Sequence, residues 1–111
     1  MENQQEKEGY KVSVTYQGKS KAFKVVNPNQ NLKITLENIK KLSREYPEDY
    51  WHLPEINNGG QRITYLLGRI DSSGKKEVFH EKNKNGELQC LTDYDVKDGD
   101  QLIIIHKVIA G

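Results

Sequence analysis

The stretch LTDYDVKDGDQLIIIHKVIAG, Leu91 to Gly111, decides how the chain is read. Asp98-Gly-Asp100 carries the residues of a tight turn, and Leu102, Ile103, Ile104 and Ile105 follow as the most apolar run in the chain. An aliphatic run this short, bounded by a turn and rich in β-branched residues, predicts a buried strand. Beyond His106, the five residues Lys107-Val-Ile-Ala-Gly111 are expected to be extended and free. At ~3.3 Å per residue they reach about 16 Å. A buried strand handing over to such a tail points to the tail as the working part.

Working outward, the preceding chain supplies a sheet and one helix. Tyr10, Val12 and Val14 alternate with Lys11, Ser13 and Thr15, the period of a half-buried strand. A glycine turn in Tyr16-Gln-Gly-Lys-Ser20 leads to Ala22–Val26, with Phe23 and Val25 on one side, so the two segments predict a hairpin. Leu32, Leu36, Ile39, Leu42 and Tyr46 then recur at helical spacing as one apolar stripe. Asn31 or Thr35 is placed to cap the helix start, and Pro47 ends it. Glu48 to Gly60 reads as a loop whose Tyr50, Trp51, Leu53 and Ile56 form either a lid over the sheet edge or helix end, or an aromatic anchor for a partner. Gln61–Leu67 is a third alternating strand, Gly68 to Gly86 an inserted hairpin or long loop held by Val78 and Phe79, and Glu87–Cys90 a short further strand. Met1 to Gly9 is polar and aperiodic, which predicts a disordered tail or an acidic interaction arm.

Composition narrows the function classes. With 34% hydrophobic and 30% charged residues in 111, the chain supports one domain with a modest core. Seventeen basic side chains against sixteen acidic give a net charge of +1, so no whole-chain field favours nucleic acid or an anionic membrane. The single cysteine, Cys90, excludes an internal disulfide and is expected to pack as a small apolar residue in its strand. No apolar run approaches the ~20 residues of a membrane span, and MENQQEKEG does not read as a signal peptide. The expected compartment is the cytoplasm. His52, His80 and His106 lie on separate segments without metal-site spacing. Asn58-Gly-Gly60 lacks the Lys-Ser or Lys-Thr of a phosphate loop. No enzyme, metal site or bound cofactor is expected.

Four segments carry a resemblance. Thr35-Leu-Glu-Asn-Ile-Lys40 resembles the Thr-Ile-Glu-Asn-Val-Lys that opens the helix of ubiquitin. Gln61-Arg-Ile-Thr-Tyr65 resembles its Gln-Arg-Leu-Ile-Phe strand, and Leu91-Thr-Asp-Tyr-Asp-Val96 its Leu-Ser-Asp-Tyr-Asn-Ile. From Lys97 the likeness runs without a gap to Gly111, and it leaves out the N-terminal tail and the 68–86 insertion. Asp98-Gly-Asp100 is similar to the turn before the last strand in the small sulfur carriers of the same fold.

The resemblance implies an α+β, ubiquitin-like β-grasp domain over 10–106: a mixed four- to five-stranded sheet with one main helix across one face, followed by a flexible tail at 107–111. Its last strand is expected in the sheet centre beside the first, with neighbours on both sides satisfying its backbone. Leu102 and Ile104 then face the helix. Ile103 and Ile105 point the other way and join Arg62, Thr64 and Gln17 as a partner-binding surface, unless the insertion or the Trp51 loop covers them. The function implied is a protein modifier, monomeric when free. An activating enzyme uses ATP to adenylate the Gly111 carboxylate, an enzyme cysteine takes it as a thioester, and a target amine accepts it. A conjugating enzyme, a deconjugating protease and target proteins are the further partners, reading Lys107, Val108, Ile109 and Ala110. Ala110 departs from the family's paired glycines by one methyl. Two alternatives stand beside the modifier: a sulfur carrier with a C-terminal thiocarboxylate, and a non-covalent ubiquitin-like binding domain.

Overall fold

A computed structural model of the chain describes residues 9–109, the side chains of 23–25 excepted. The chain forms β1 (Tyr10–Tyr16), β2 (Lys19–Val26), α1 (Leu32–Glu45), β3 (Arg62–Ile70), β4 (Lys76–Phe79), a 3-10 turn (Leu91–Tyr94) and β5 (Gln101–Ile109). The strands make one five-stranded sheet in the order β2-β1-β5-β3-β4. β5 lies between β1, to which it is parallel, and β3, to which it is antiparallel.

Alternation decides the faces. Val12, Val14 and Tyr16 of β1 are buried while Ser13 and Thr15 are half-exposed. Gln17 and Gly18, with φ of 51° and 82°, form the two-residue link to β2, and two positive φ values match the right-handed twist of the paired strands. Asn31 is the helix cap: its side-chain oxygen accepts from Ile34 N at 3.0 Å. Thr35, the other candidate, sits inside the helix and donates its hydroxyl back to the Asn31 carbonyl at 3.3 Å. The helix stops at Glu45, and the Tyr46 N–H closes the last turn on the Leu42 carbonyl just ahead of Pro47. Leu32, Leu36 and Ile39 are buried against the sheet, whereas Tyr46, past the last helical residue, is 51% exposed.

The core lies between α1 and the inner face of the sheet, where Val12, Val14, Tyr65, Leu67, Phe79, Leu102 and Ile104 meet the helix stripe. Each large aliphatic or aromatic side chain buried this way contributes roughly 1.5–3 kcal/mol. Trp51 and Leu53 close one end, and Leu91 and Val96 are also buried. The lid expected of the Trp51 loop is present: Trp51 Nε1 donates to the Lys19 carbonyl at 3.0 Å.

Several expectations are corrected. Residues 68–86 do contain the expected hairpin, formed by the end of β3 and β4, but its first strand is a continuation of β3, which runs on through Gly68 to Ile70. Gly68, expected to open the insertion after a strand ending at Leu67, is buried in mid-strand, where a Cβ would run into the Glu77 carbonyl oxygen. Glu87–Cys90 forms no strand, only the single bridges Lys82 to Leu88 and Asn31 to Cys90. Cys90 therefore does not pack in a strand. It stands before the 3-10 turn, with its N–H on Asp93 Oδ2 at 2.9 Å and its sulfur 3.0 Å from Thr92 Oγ1. Lys107, Val108 and Ile109, expected in the free tail, are part of β5 and pair with Thr64, Ile63 and Arg62. Ladder bonds come from the backbone and do not depend on the polarity of Lys107. The expectation for Met1–Gly9 falls outside the described residues except at Gly9, as do those for Ala110, Gly111 and the side chains of Phe23 and Val25.

Three loops share one build. Asn57, Asp71 and Asn83 each accept, through a side-chain oxygen, the backbone N–H groups two and four residues on. Each also donates its own N–H to the carbonyl four residues on. Gly60, Gly74 and Gly86 stand at the fourth position with φ of 80°, 87° and 83°, a conformation open to glycine at little cost.

Candidate functional site

The register of β5 against its neighbours assembles one outward face. Arg62 is opposite Ile109, Thr64 opposite Lys107, Leu66 opposite Ile105, and Gly68 opposite Ile103. Thr15 of β1 is opposite Ile103, and Val78 of β4 opposite Gly68. Paired residues point to the same side of a sheet, and Thr15, Thr64, Leu66, Val78, Ile103 and Ile105 each alternate with a buried residue of their own strand. The face therefore looks away from α1.

At its centre, Leu66, Ile103, Ile105 and Val78 are half-exposed. Ile105 lies over Gly68: a Cβ on that glycine would come within 2.8 Å of Ile105 Cδ1. The missing side chain lets the isoleucine settle onto β3, which accounts for its partial cover. Neither the insertion nor the Trp51 loop covers the face as a lid. Trp51 is buried in the core, and the insertion supplies only Val78 along the β4 edge. Polar groups frame the centre. Thr64 Oγ1 donates to the Lys107 carbonyl at 3.4 Å, and the Thr15 and Ser20 hydroxyls are 2.6 Å apart. Arg62 and Lys107 are exposed, with no ion-pair partner among the described residues.

Of the five surface residues expected from sequence, Arg62, Thr64, Ile103 and Ile105 share this face. Gln17 lies in the β1–β2 turn, exposed and outside the pairing. Leu66 and Val78 were not anticipated. Leu66 falls between Tyr65 and Leu67 in the sequence, and the strand's period alone sends it outward. Lys107, Val108 and Ile109 are held in the sheet, and the acyl-donor role expected of Gly111 lies outside the described residues.

On the inner side of the same strands, Tyr16, Tyr65 and His106 form a cluster. The Tyr16 and Tyr65 rings meet edge to face at 6.0 Å, and Tyr16 Oη is 3.3 Å from His106 Nδ1. The Tyr65 hydroxyl donates to the Pro54 carbonyl. Burial, with Tyr16 adding to it, pushes the Tyr65 phenol up to about 12. Such a phenol stays protonated at neutral pH, which suits a structural bond better than proton transfer. Among the described residues no group of three or more His, Cys, Asp or Glu side chains is placed to hold a metal ion. No helix among them is long and apolar enough to cross a membrane. The arrangement offers an apolar strip with a basic, hydroxyl-bearing rim, which suits holding another protein surface.

No family model matches the sequence, and no curated protein matches it. Solved structures do. A chain of the MycP5-free ESX-5 inner-membrane complex is 20% identical with a TM-score of 0.62, over 94% of this chain and 22% of that one. The ubiquitin-like domain of EccD5 from Mycobacterium xenopi is 17% identical with a TM-score of 0.59, over 93% of this chain and 97% of that domain. This chain thus spans about a fifth of the first and nearly all of the second. The fold is the ubiquitin-like β-grasp.

Proposed function

We propose that the chain is a non-covalent ubiquitin-like docking domain that holds a partner protein against the outward face of its sheet, around Leu66, Ile103 and Ile105. The observation that carries this reading is the continuation of β5 through Ile109, paired residue for residue with β3. A conjugated modifier threads its last residues, extended, into enzyme clefts. Here Lys107, Val108 and Ile109 are committed to the sheet, and releasing them breaks ladder bonds that each contribute about 1 kcal/mol. The structural likeness to the ubiquitin-like domain of EccD5, and to a chain of the ESX-5 inner-membrane complex, supports a place within a larger protein assembly.

The half-exposed centre with a polar rim has the make-up of a docking patch. Four aliphatic side chains are modest as an anchor, which suits a contact reinforced by other parts of an assembly. The competing modifier and sulfur-carrier readings rest on Gly111 and require its carboxylate to be activated with ATP.

The test is in the native host. Cross-linking mass spectrometry on the untagged protein is expected to find a partner whose cross-links fall around Arg62 and Lys107. Ile105→Glu should abolish them, and Gly111→Glu should leave both partner and cellular function intact. Isopeptide-linked ladders that vanish in Gly111→Glu would restore the modifier, and a +16 Da mass at the carboxyl terminus would restore the sulfur carrier.

A further inference from the structure

β5 is the central strand, yet half of one edge is open. β1 pairs with it only from Ser13–Gln101 to Thr15–Ile103, and then turns away at Gln17 and Gly18. Neighbours on both sides of the whole strand were expected. The structure provides them only as far as Ile103, because β1 ends at Tyr16 while β5 continues to Ile109.

The direction of the unpaired groups follows from two bonds. Ser13 N donates to the Asp100 carbonyl at 3.0 Å, so Asp100 faces β1. With a period of two, Leu102, Ile104, His106 and Val108 turn their N–H and C=O the same way. Independently, Ile63 N donates away from β5 to the Glu55 carbonyl at 2.9 Å, which leaves Arg62 and Thr64 as the residues bonding across to Ile109 and Lys107. Both give one register. Among the described residues no strand stands beside His106 and Val108 on the β1 side. An unpaired row on a regular strand is a template for another strand.

The side chains around this edge select the guest. Val108 and Ile109 are 41% and 43% exposed, on opposite faces of the strand. Arg62 and Lys107 lie on adjacent strands of the outward face, unpaired by any acid among the described residues. A second copy of the chain is a poor guest, because antiparallel pairing centred here brings Lys107 against Lys107.

We propose that the open edge of β5 from His106 to Val108 is a strand-addition site for an extended segment of a partner protein with acidic side chains alternating with aliphatic ones. This rests on the chain being a docking domain, and it adds the mode of attachment: main-chain bonds supply the affinity and Lys107 with Arg62 supply the sign of charge.

The probe is a capped seven-residue peptide, Val-Glu-Val-Glu-Val-Glu-Val, with its Lys-for-Glu counterpart as control, titrated into the nitrogen-15-labelled full chain. In the free protein the His106 and Val108 amides should exchange with solvent much faster than those of Ile105 and Lys107. The acidic peptide should slow them and shift their resonances. Lys107→Glu should weaken the acidic peptide roughly tenfold and favour the basic one. His106→Pro is the sharper variant. Its lost N–H points to the open side, so the β3 ladder survives and Tm should move by no more than about 5 °C, while peptide binding disappears. The proposal is overturned if the His106 and Val108 amides are already protected, if shifts map to β2 or β4, if both peptides bind alike or neither binds, or if His106→Pro binds as wild type does. Any of these results leaves the host cross-links and their loss in Ile105→Glu untouched, so failure of the edge and failure of the docking role are told apart.

Discussion

Trp51 Nε1 and the Lys19 carbonyl, 3.0 Å apart, tie the loop after the helix to the start of the second strand. The indole is 2% exposed and stacks obliquely with Tyr50 at 5.5 Å. One side chain thus closes the end of the core and holds the hairpin against it.

Trp51→Ala should therefore destabilise the fold by about 3–5 kcal/mol, the usual cost of emptying a large aromatic site. Trp51→Phe should cost less, keeping much of the volume and losing the donor. Urea unfolding followed by circular dichroism measures both. In the wild type the only tryptophan reports its own burial, with emission expected to shift to the red on unfolding.

Gly68 and Gly60 should respond differently to alanine. At Gly68 the new methyl meets the Glu77 carbonyl oxygen and Ile105 Cδ1, so β3 and β4 must separate, at about 1–3 kcal/mol or more. At Gly60 there is open space but a φ of 80°, so the cost is left-handed backbone strain alone, about 1–2 kcal/mol. Only Gly68→Ala should also disturb the amide resonances of Ile105 and Val78.

Replacing Asn31 with alanine removes the acceptor for Ile34 N. About 1 kcal/mol of stability should be lost. Thr35→Ser should be nearly silent as a cap, since the Thr35 hydroxyl bonds back to Asn31 O and not forward. A chemical denaturation midpoint for each variant decides the matter.

Alkaline pH should weaken the fold through Tyr65. Burial raises its phenol to about 12 in the folded chain and raises Tyr16 as well, while an unfolded tyrosine ionises near ~10. Between those values the unfolded chain releases a proton that the folded chain keeps. The stabilisation is therefore complete below about pH 10 and is lost as pH climbs towards about 12. Thermal unfolding across that window should show Tm falling, with a shallower slope in Tyr65→Phe.

The parts legible in the sequence were those in which side-chain polarity tracks geometry. Val12 and Val14 on β1, the Leu32–Leu36–Ile39 stripe and Leu102 with Ile104 all announce their buried faces by period. The end of β5 was not legible, because His106 and Lys107 look like an exit from the core while their pairing is made by backbone atoms. The end of β3 was missed in a similar way: the strand was expected to stop at Leu67, but Gly68 continues it, because a glycine serves where two strands and an isoleucine crowd one position. Leu66 was readable and passed over, an outward residue between two buried ones. The candidate face was thus found through the isoleucines and Thr64, and its missing members come from neighbouring strands that no local pattern connects. The open edge of β5 could not be read at all, since it depends on where β1 stops relative to its partner.

The parallel contact between β1 and β5 also sets when this protein can fold. Val14 and Leu102 stand side by side in the sheet, so the core cannot be completed until β5 has been made, and closing so long a loop slows the search for the native pairing. On the ribosome, with chain growth at roughly 5–20 residues per second, the hairpin and helix emerge seconds before the strand that must lie between β1 and β3. During that interval Val12, Val14 and the helix stripe have no central strand to pack on. The nascent domain is therefore expected to need shielding until Ile104 has cleared the exit tunnel, and truncations that remove β5 should yield aggregating chains in place of smaller folded ones.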